Sequence, residues 1–206
     1  MKQQSQCDVG CYQQFRQQMQ DGDVLLFKGQ SWLSKIIKWR TKSAYSHAGI
    51  VVWWSDRLMV LEAVGKGVLA RPISYNLNHY EGDINYYRPT ETLSAETRKN
   101  MALFAQEQLG KEYATKRLVG FFFKLLFNRP LESQDKKEAA GRYFCSEYVA
   151  DIYSKNGIDL DIERSTAYTS PDRLANSKGL QYVVTLNKPL KDQQVATEEG
   201  MQAAAD

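Results

Sequence analysis

At 206 residues the chain is long enough for one well-filled domain, and 43% apolar with 25% charged residues is the balance of an ordinary globular protein. A net charge of +3 and a pI near 8.6 come with no dense basic stripe and no nucleic-acid motif, which argues against a nucleic-acid partner. Three cysteines and two histidines are poor material for a disulfide scaffold and poorer for a zinc site, which asks for about four ligands; no metal or cofactor is expected.

Residues 1–20 form a Gln-rich polar leader in which Phe15 and Met19, four apart, suit a helix. Cys7 and Cys11 lie in it, and their pairing is left open. The start carries no apolar stretch, so it holds no intact secretory signal. The compartment is therefore not set: a trimmed leader would mean the envelope or periplasm, and otherwise the cytoplasm. Asp21-Gly22-Asp23 then turns into Val24–Phe27, an apolar run bounded by turn residues and read as a buried strand. Ser31 to Trp39 is a basic amphipathic segment with Trp32, Ile36 and Trp39 at helical spacing.

His47–Trp53 and Leu58–Val64 flank a polar turn and predict a β-hairpin. Gly67–Ile73, ending near Pro72, and Ile84–Tyr87 predict two further strands. Between these, Asn76 to Asp83 reads as a polar loop carrying a solvated His79. Ser94 is placed to cap a helix reaching Leu109, with Met101, Phe104 and Gln108 or Leu109 as its core stripe and Gly110 to end it. Lys111 to Gly141 reads as an insertion, apolar at about 118–127 and charged at 132–138. The apolar run is broken by Lys124 and is about half of what spans a bilayer, so no transmembrane helix is expected. A helix should start near Phe144 or Cys145 and stop at Gly157; Thr169 or Ser170 before Pro171 marks another start. Gln181–Leu186 is a last strand, and residues 187–206 read as a loose tail. The folded domain is thus expected over 21–186, with its insertion at about 118–138.

Chemistry centres on Cys145. In the first turn of its helix, unpaired backbone N–H groups and the helix dipole favour a thiolate, and the same groups can hold a developing oxyanion. A small apolar core residue is the bland alternative. His47 opens an apolar strand, where it can serve as base or be a satisfied core residue. Glu62 interrupts the apolar run of the next strand, and a buried carboxylate is costly without a partner. Strand parity offers one. A two-residue turn at Ser55-Asp56 pairs Trp54 with Arg57, a sum of 111. His47 then faces Val64, with Glu62 its diagonal neighbour on the same face, roughly 7–8 Å away between backbones. A register two residues tighter puts Glu62 directly opposite. Either way the residues suit a nucleophile, a base and an orienting carboxylate.

The segments Gly22–Phe27, Tyr45–Val51, Leu61-Glu62-Ala63 and Tyr143–Tyr148 resemble those of the YiiX/YebB-like group in the NlpC-type papain-like superfamily. In that group the histidine-bearing strand precedes the cysteine-bearing helix, a circular permutation of papain's order, as in this chain. The resemblance covers about Asp21 to Leu186 and implies an α+β fold, circularly permuted papain-like, with a small antiparallel sheet and packed helices. It also implies Cys145 as nucleophile, His47 as base and Glu62 as the third polar residue. The lecithin:retinol acyltransferase-like enzymes share the permuted order but commonly carry another histidine there, so Glu62 favours the YiiX-like branch.

The expected activity is a cysteine hydrolase acting on an amide or peptide-like bond through a thioacyl intermediate. A lipid acyl hydrolase or acyltransferase is the alternative, and a non-catalytic binding module on the same fold is another. Tyr45 and Tyr143 are candidate oxyanion or substrate-binding donors. Ser146 and Glu147 read as helix-surface or capping residues. The Trp32–Arg40 and Phe121–Phe127 segments suit peripheral membrane contact or an acyl-chain groove, and equally two helices packed over the sheet.

Overall fold

The computed structural model describes residues 9–29, 44–64, 67–110, 143–160 and 169–187. In chain order these form β1 (Val9–Cys11), α1 (Tyr12–Arg16), β2 (Val24–Gly29), β3 (His47–Trp54), β4 (Arg57–Val64) and β5 (Gly67–Pro72). There follow α2 (Ile73–His79), β6 (Gly82–Pro89), α3 (Ala95–Glu107), α4 (Tyr143–Lys155), α5 (Pro171–Ala175) and β7 (Leu180–Asn187). The segments Ser31–Trp39, 111–141 (with Phe121–Phe127) and 188–206 lie outside the described residues, as does Cys7.

The described strands make a seven-stranded sheet in the order β1-β7-β6-β2-β3-β4-β5. All neighbours are antiparallel except β1, which runs parallel to β7. β2 sits in the middle, and that position explains its unbroken apolar run. Val24 and Leu26 point into one core, Leu25 and Phe27 into the other. The first core lies under α3 and α4, with Met101, Ala102, Ala105, Tyr148, Val149 and Ile152 against Ile50, Leu61 and Ala63. The second is closed by Tyr12 and Met19 of the leader and by Ile73 and Leu77 of α2, over Val51, Val60 and Tyr86.

The hairpin has the register of the two-residue turn, with Trp54 opposite Arg57 and Ile50 opposite Leu61. Ser55 takes the left-handed conformation, φ 55°, that such a turn demands. Ser94 caps α3 by accepting the Thr97 N–H at 3.0 Å, and Ser170 caps α5 with Pro171 in its first turn. Gly110 and Gly157 follow α3 and α4 with φ of 73° and 74°.

Two local expectations change. The leader helix is confined to Tyr12–Arg16 and is preceded by strand β1. The stretch read as a polar loop is helical over Ile73–His79, with His79 stacked on Tyr75 at its exposed end. Apolar Ile73 and Leu77, four apart, anchor that turn of helix on the sheet.

The Asp21-Gly22-Asp23 turn is a buried joint between sheet and helices. The Asp23 carboxylate, fully buried, accepts the Tyr86 hydroxyl at 2.6 Å, the Gln20 N–H at 2.9 Å and Arg98 at 3.3 Å. Burial nevertheless pushes its carboxyl above the usual range, with Tyr86, Gln20 and the arginines opposing. The Gly22 carbonyl accepts the Tyr153 hydroxyl of α4 at 2.5 Å. Arg98 of α3 also donates to the Asp21 carbonyl at 2.6 Å. The helix bearing Cys145 is thereby pinned to the start of the central strand. Tyr153→Phe, which strands a buried carbonyl, should lower unfolding free energy by about 1–3 kcal/mol in urea titration. Asp23→Ala, which leaves Arg98 without its buried partner, should cost more, about 3–5 kcal/mol.

Candidate active site

Cys145 lies in the first turn of α4, 3% exposed, with Tyr148 and Val149 packing the same helix on the sheet. Its sulfur accepts from the backbone N–H groups of Ser146, in that turn, and of Ala48, in β3. It also shares a hydrogen bond with the His47 side chain. The helix is held at this end by Ser146, whose hydroxyl donates to the Thr169 carbonyl at 2.7 Å. Ser146 is fully buried, so it is not a helix-surface residue.

His47 reaches the sulfur because it is the first residue of β3, at the end of the sheet. Ser46 fastens that end to β2: its hydroxyl accepts the Gly29 N–H and donates to the Phe27 carbonyl, both at 3.1 Å. The ring rests against Phe27, centroids 5.3 Å apart, and its side chain is 22% exposed. His47 Nε2 lies 2.6 Å from Glu62 Oε2, which leaves Nδ1 as the ring nitrogen for the sulfur. The diagonal placement in the hairpin therefore closes to a short contact through the side chains. Gly49 keeps the two strands close here, since a Cβ on it would come within 2.5 Å of Val60 and 3.4 Å of the Glu62 Cβ.

Glu62, 2% exposed, has both oxygens engaged, Oε2 with His47 and Oε1 with Arg71 Nη1 at 3.1 Å. Asn76 of α2 adds a side-chain hydrogen bond. Burial works against the charged carboxylate, but His47, Arg71 and Asn76 outweigh it and hold the carboxyl below its usual range. Burial likewise opposes a charged imidazole, yet the Cys145 sulfur and Glu62 push His47 up to about 10. For Cys145, burial raises the thiol while His47 and the two N–H groups lower it, and the net direction is down. The arrangement favours a thiolate–imidazolium pair over a neutral thiol and imidazole.

The chain matches a family model described as permuted papain-like amidase enzyme, YaeF/YiiX, C92 family, over residues 18–197. The chain belongs to this family. A curated relative, the uncharacterized protein YiiX of Escherichia coli K12, is 35% identical over 100 residues, 48% of this chain and 49% of the relative. The match spans about half the length of that relative. A solved structure described as metalloprotein yiiX from Escherichia coli O157:H7 superposes with a TM-score of 0.59 at 24% identity, covering 82% of this chain and 98% of that one. It supports the fold alone. The word metalloprotein describes that neighbour; among the described residues here, no three or more His, Cys, Asp or Glu side chains gather as metal ligands.

Within this permuted papain-like fold the other candidates divide. The Tyr45 hydroxyl meets that of Tyr87 at 2.7 Å and accepts from Asn85 at 3.0 Å, in the first core. The Tyr143 side chain lies outside the described residues. Glu147 is half-buried, and burial pushes its carboxyl up to about 7. Arg71 and Asn76 went unread in the sequence. For Arg71 the signal was available: the pairing of Glu62 with Leu69 and of Val60 with Arg71 makes Arg71 a same-face diagonal neighbour of Glu62.

The pair is charged above the lowered thiol pKa and is lost as pH rises through about 10, where the imidazolium gives up its proton. Iodoacetamide should therefore label Cys145 faster than a free thiol at about pH 6. In His47→Ala the thiol loses the group that does most to lower it against burial, and labelling at that pH should fall by at least about tenfold. Equal rates in the two proteins would contradict the pairing.

Proposed function

We propose that Cys145, His47 and Glu62 are the catalytic triad of an amidase that cleaves a peptide-like amide through a thioacyl-enzyme intermediate. One observation carries this reading: an unbroken hydrogen-bonded run from the Cys145 sulfur through the His47 ring to Glu62 Oε2, 2.6 Å from Nε2. The choice of an amide follows the family's description.

The thiolate attacks the carbonyl carbon, and the carbonyl oxygen takes up negative charge near the N–H groups of the first turn of α4. The imidazolium gives its proton to the nitrogen as the C–N bond breaks and the amine leaves. His47, now neutral, takes a proton from water as that water attacks the thioester. Collapse frees the carboxylic acid product and the thiolate, with the imidazolium restored. Glu62 keeps Nε2 protonated throughout, so the nitrogen facing the sulfur is the one that trades protons.

The test is turnover of a panel of peptide amides beside acyl-lipid esters and amides, with acid-quenched intact-mass spectra. Release of an amine from a peptide amide, with an acyl adduct on Cys145, is the expected result. Cys145→Ala should abolish both, and Glu62→Gln should lower kcat by roughly 10²-fold or more. Turnover confined to the acyl lipids would move the substrate class to lipids. Undiminished turnover in Cys145→Ala would overturn the triad.

A further inference from the structure

The run from the Cys145 sulfur does not end at Glu62 but continues beyond it to Arg71. Its two oxygens are divided between two strands: Oε2 goes to His47 of β3, and Oε1 to Arg71 of β5 at 3.1 Å. Resting on the reading of Cys145, His47 and Glu62 as the catalytic machinery, we infer that Arg71 is a positioning residue. From the far flank of Glu62 it fixes the carboxylate that in turn fixes the imidazole.

The register makes the contact a property of the sheet. Arg71 faces Val60 across β4–β5, and Glu62 faces Leu69, so Arg71 stands one diagonal step from Glu62 on the same face. His47 stands in the corresponding diagonal position on the other side, extending the register of Ile50 with Leu61. The carboxylate lies between two cationic side chains. The Arg71 side chain is 42% exposed and had open water available, but its Nη1 turns inward to an oxygen on a side chain only 3% exposed. The third partner, Asn76 of α2, is neutral and supplies no charge.

Groups facing Glu62 from the packed elements are His47 from β3, Arg71 from β5, Asn76 from α2 and Tyr80 just beyond α2; Cys145 of α4 stands behind His47. Among these, Arg71 is the cation that takes no part in the proton transfers. Without it, burial of Glu62 is opposed by fewer partners, and the carboxyl takes a proton at a higher pH. A protonated Glu62 no longer stabilises the imidazolium, and the thiol of Cys145 then keeps its proton. Loss of Arg71 should therefore show at the sulfur, as an acid limb displaced to higher pH. A merely structural arginine would lower the melting temperature and leave that limb in place.

The experiment is the pH dependence of iodoacetamide labelling of Cys145 in the wild-type chain and in Arg71→Met, Arg71→Gln and Arg71→Lys, with a thermal melt of each. Methionine keeps the aliphatic stem, glutamine keeps a neutral donor, and lysine keeps the charge. Because Arg71 is part-exposed and screened, the Met and Gln variants should move the acid limb up by about one pH unit, the low end for a lost neighbouring charge. Arg71→Lys should restore the wild-type limb. Folded Met and Gln variants whose limbs coincide with wild type would overturn the inference while leaving the triad standing. An ordinary free-thiol titration in the wild-type chain would instead overturn the triad reading, and the role of Arg71 with it.

Discussion

A carboxylate 2% exposed in the middle of a hairpin is the constraint around which this site is arranged. An ionised, buried Glu62 would be prohibitively costly alone, and the sheet answers with partners on three sides. β3 brings His47, β5 brings Arg71, and α2 lays Asn76 against it. Removing any one of them leaves charge or hydrogen-bonding capacity stranded in the interior. The Cys145 sulfur and then Glu62 make His47 strongly basic, and the imidazolium in turn lowers the Cys145 thiol. The charge on the imidazole beside the sulfur is thus favoured in part by a residue that does not touch the sulfur.

The fold serves that arrangement by bringing a helix start and a strand start to one point. Cys145 belongs to the core beneath α3 and α4, whereas the His47 ring lies against Phe27 of the opposite core. They meet because each opens its own element, Cys145 in the first turn of α4 and His47 as the first residue of β3. The two ends are held separately. Ser46 ties β3 to β2, Ser146 ties α4 to Thr169, and the Asp21–Asp23 joint grips α4 through Tyr153.

Much of this was legible in the sequence, for reasons specific to each segment. Alternation and a two-residue turn fixed the parity of the His47–Trp54 and Arg57–Val64 strands, and parity placed Glu62 on the side of His47. Ser94, Ser170 and Gly157 marked helix ends through chemistry that is local to each end. Other features rest on distant contacts and left no local mark. β1 is three residues long and pairs in parallel with a strand at the far end of the domain, Val9 opposite Thr185, which no neighbouring pattern announces. The helix from Ile73 to His79 has only two apolar anchors among polar residues, and its form is set by the sheet beneath it. Arg71 follows from the same parity one strand further on, through the register of β4 with β5, and not from the His47–Val64 hairpin alone.

The protonation state of the His47 ring tests this account most directly, by nitrogen NMR of the imidazole across pH in the wild-type chain and in Cys145→Ala. The account predicts that both ring nitrogens carry protons at neutral pH, with a titration near 10 that moves to lower pH once the sulfur is gone. A neutral imidazole at pH 7, with a titration unaffected by Cys145→Ala, would contradict it.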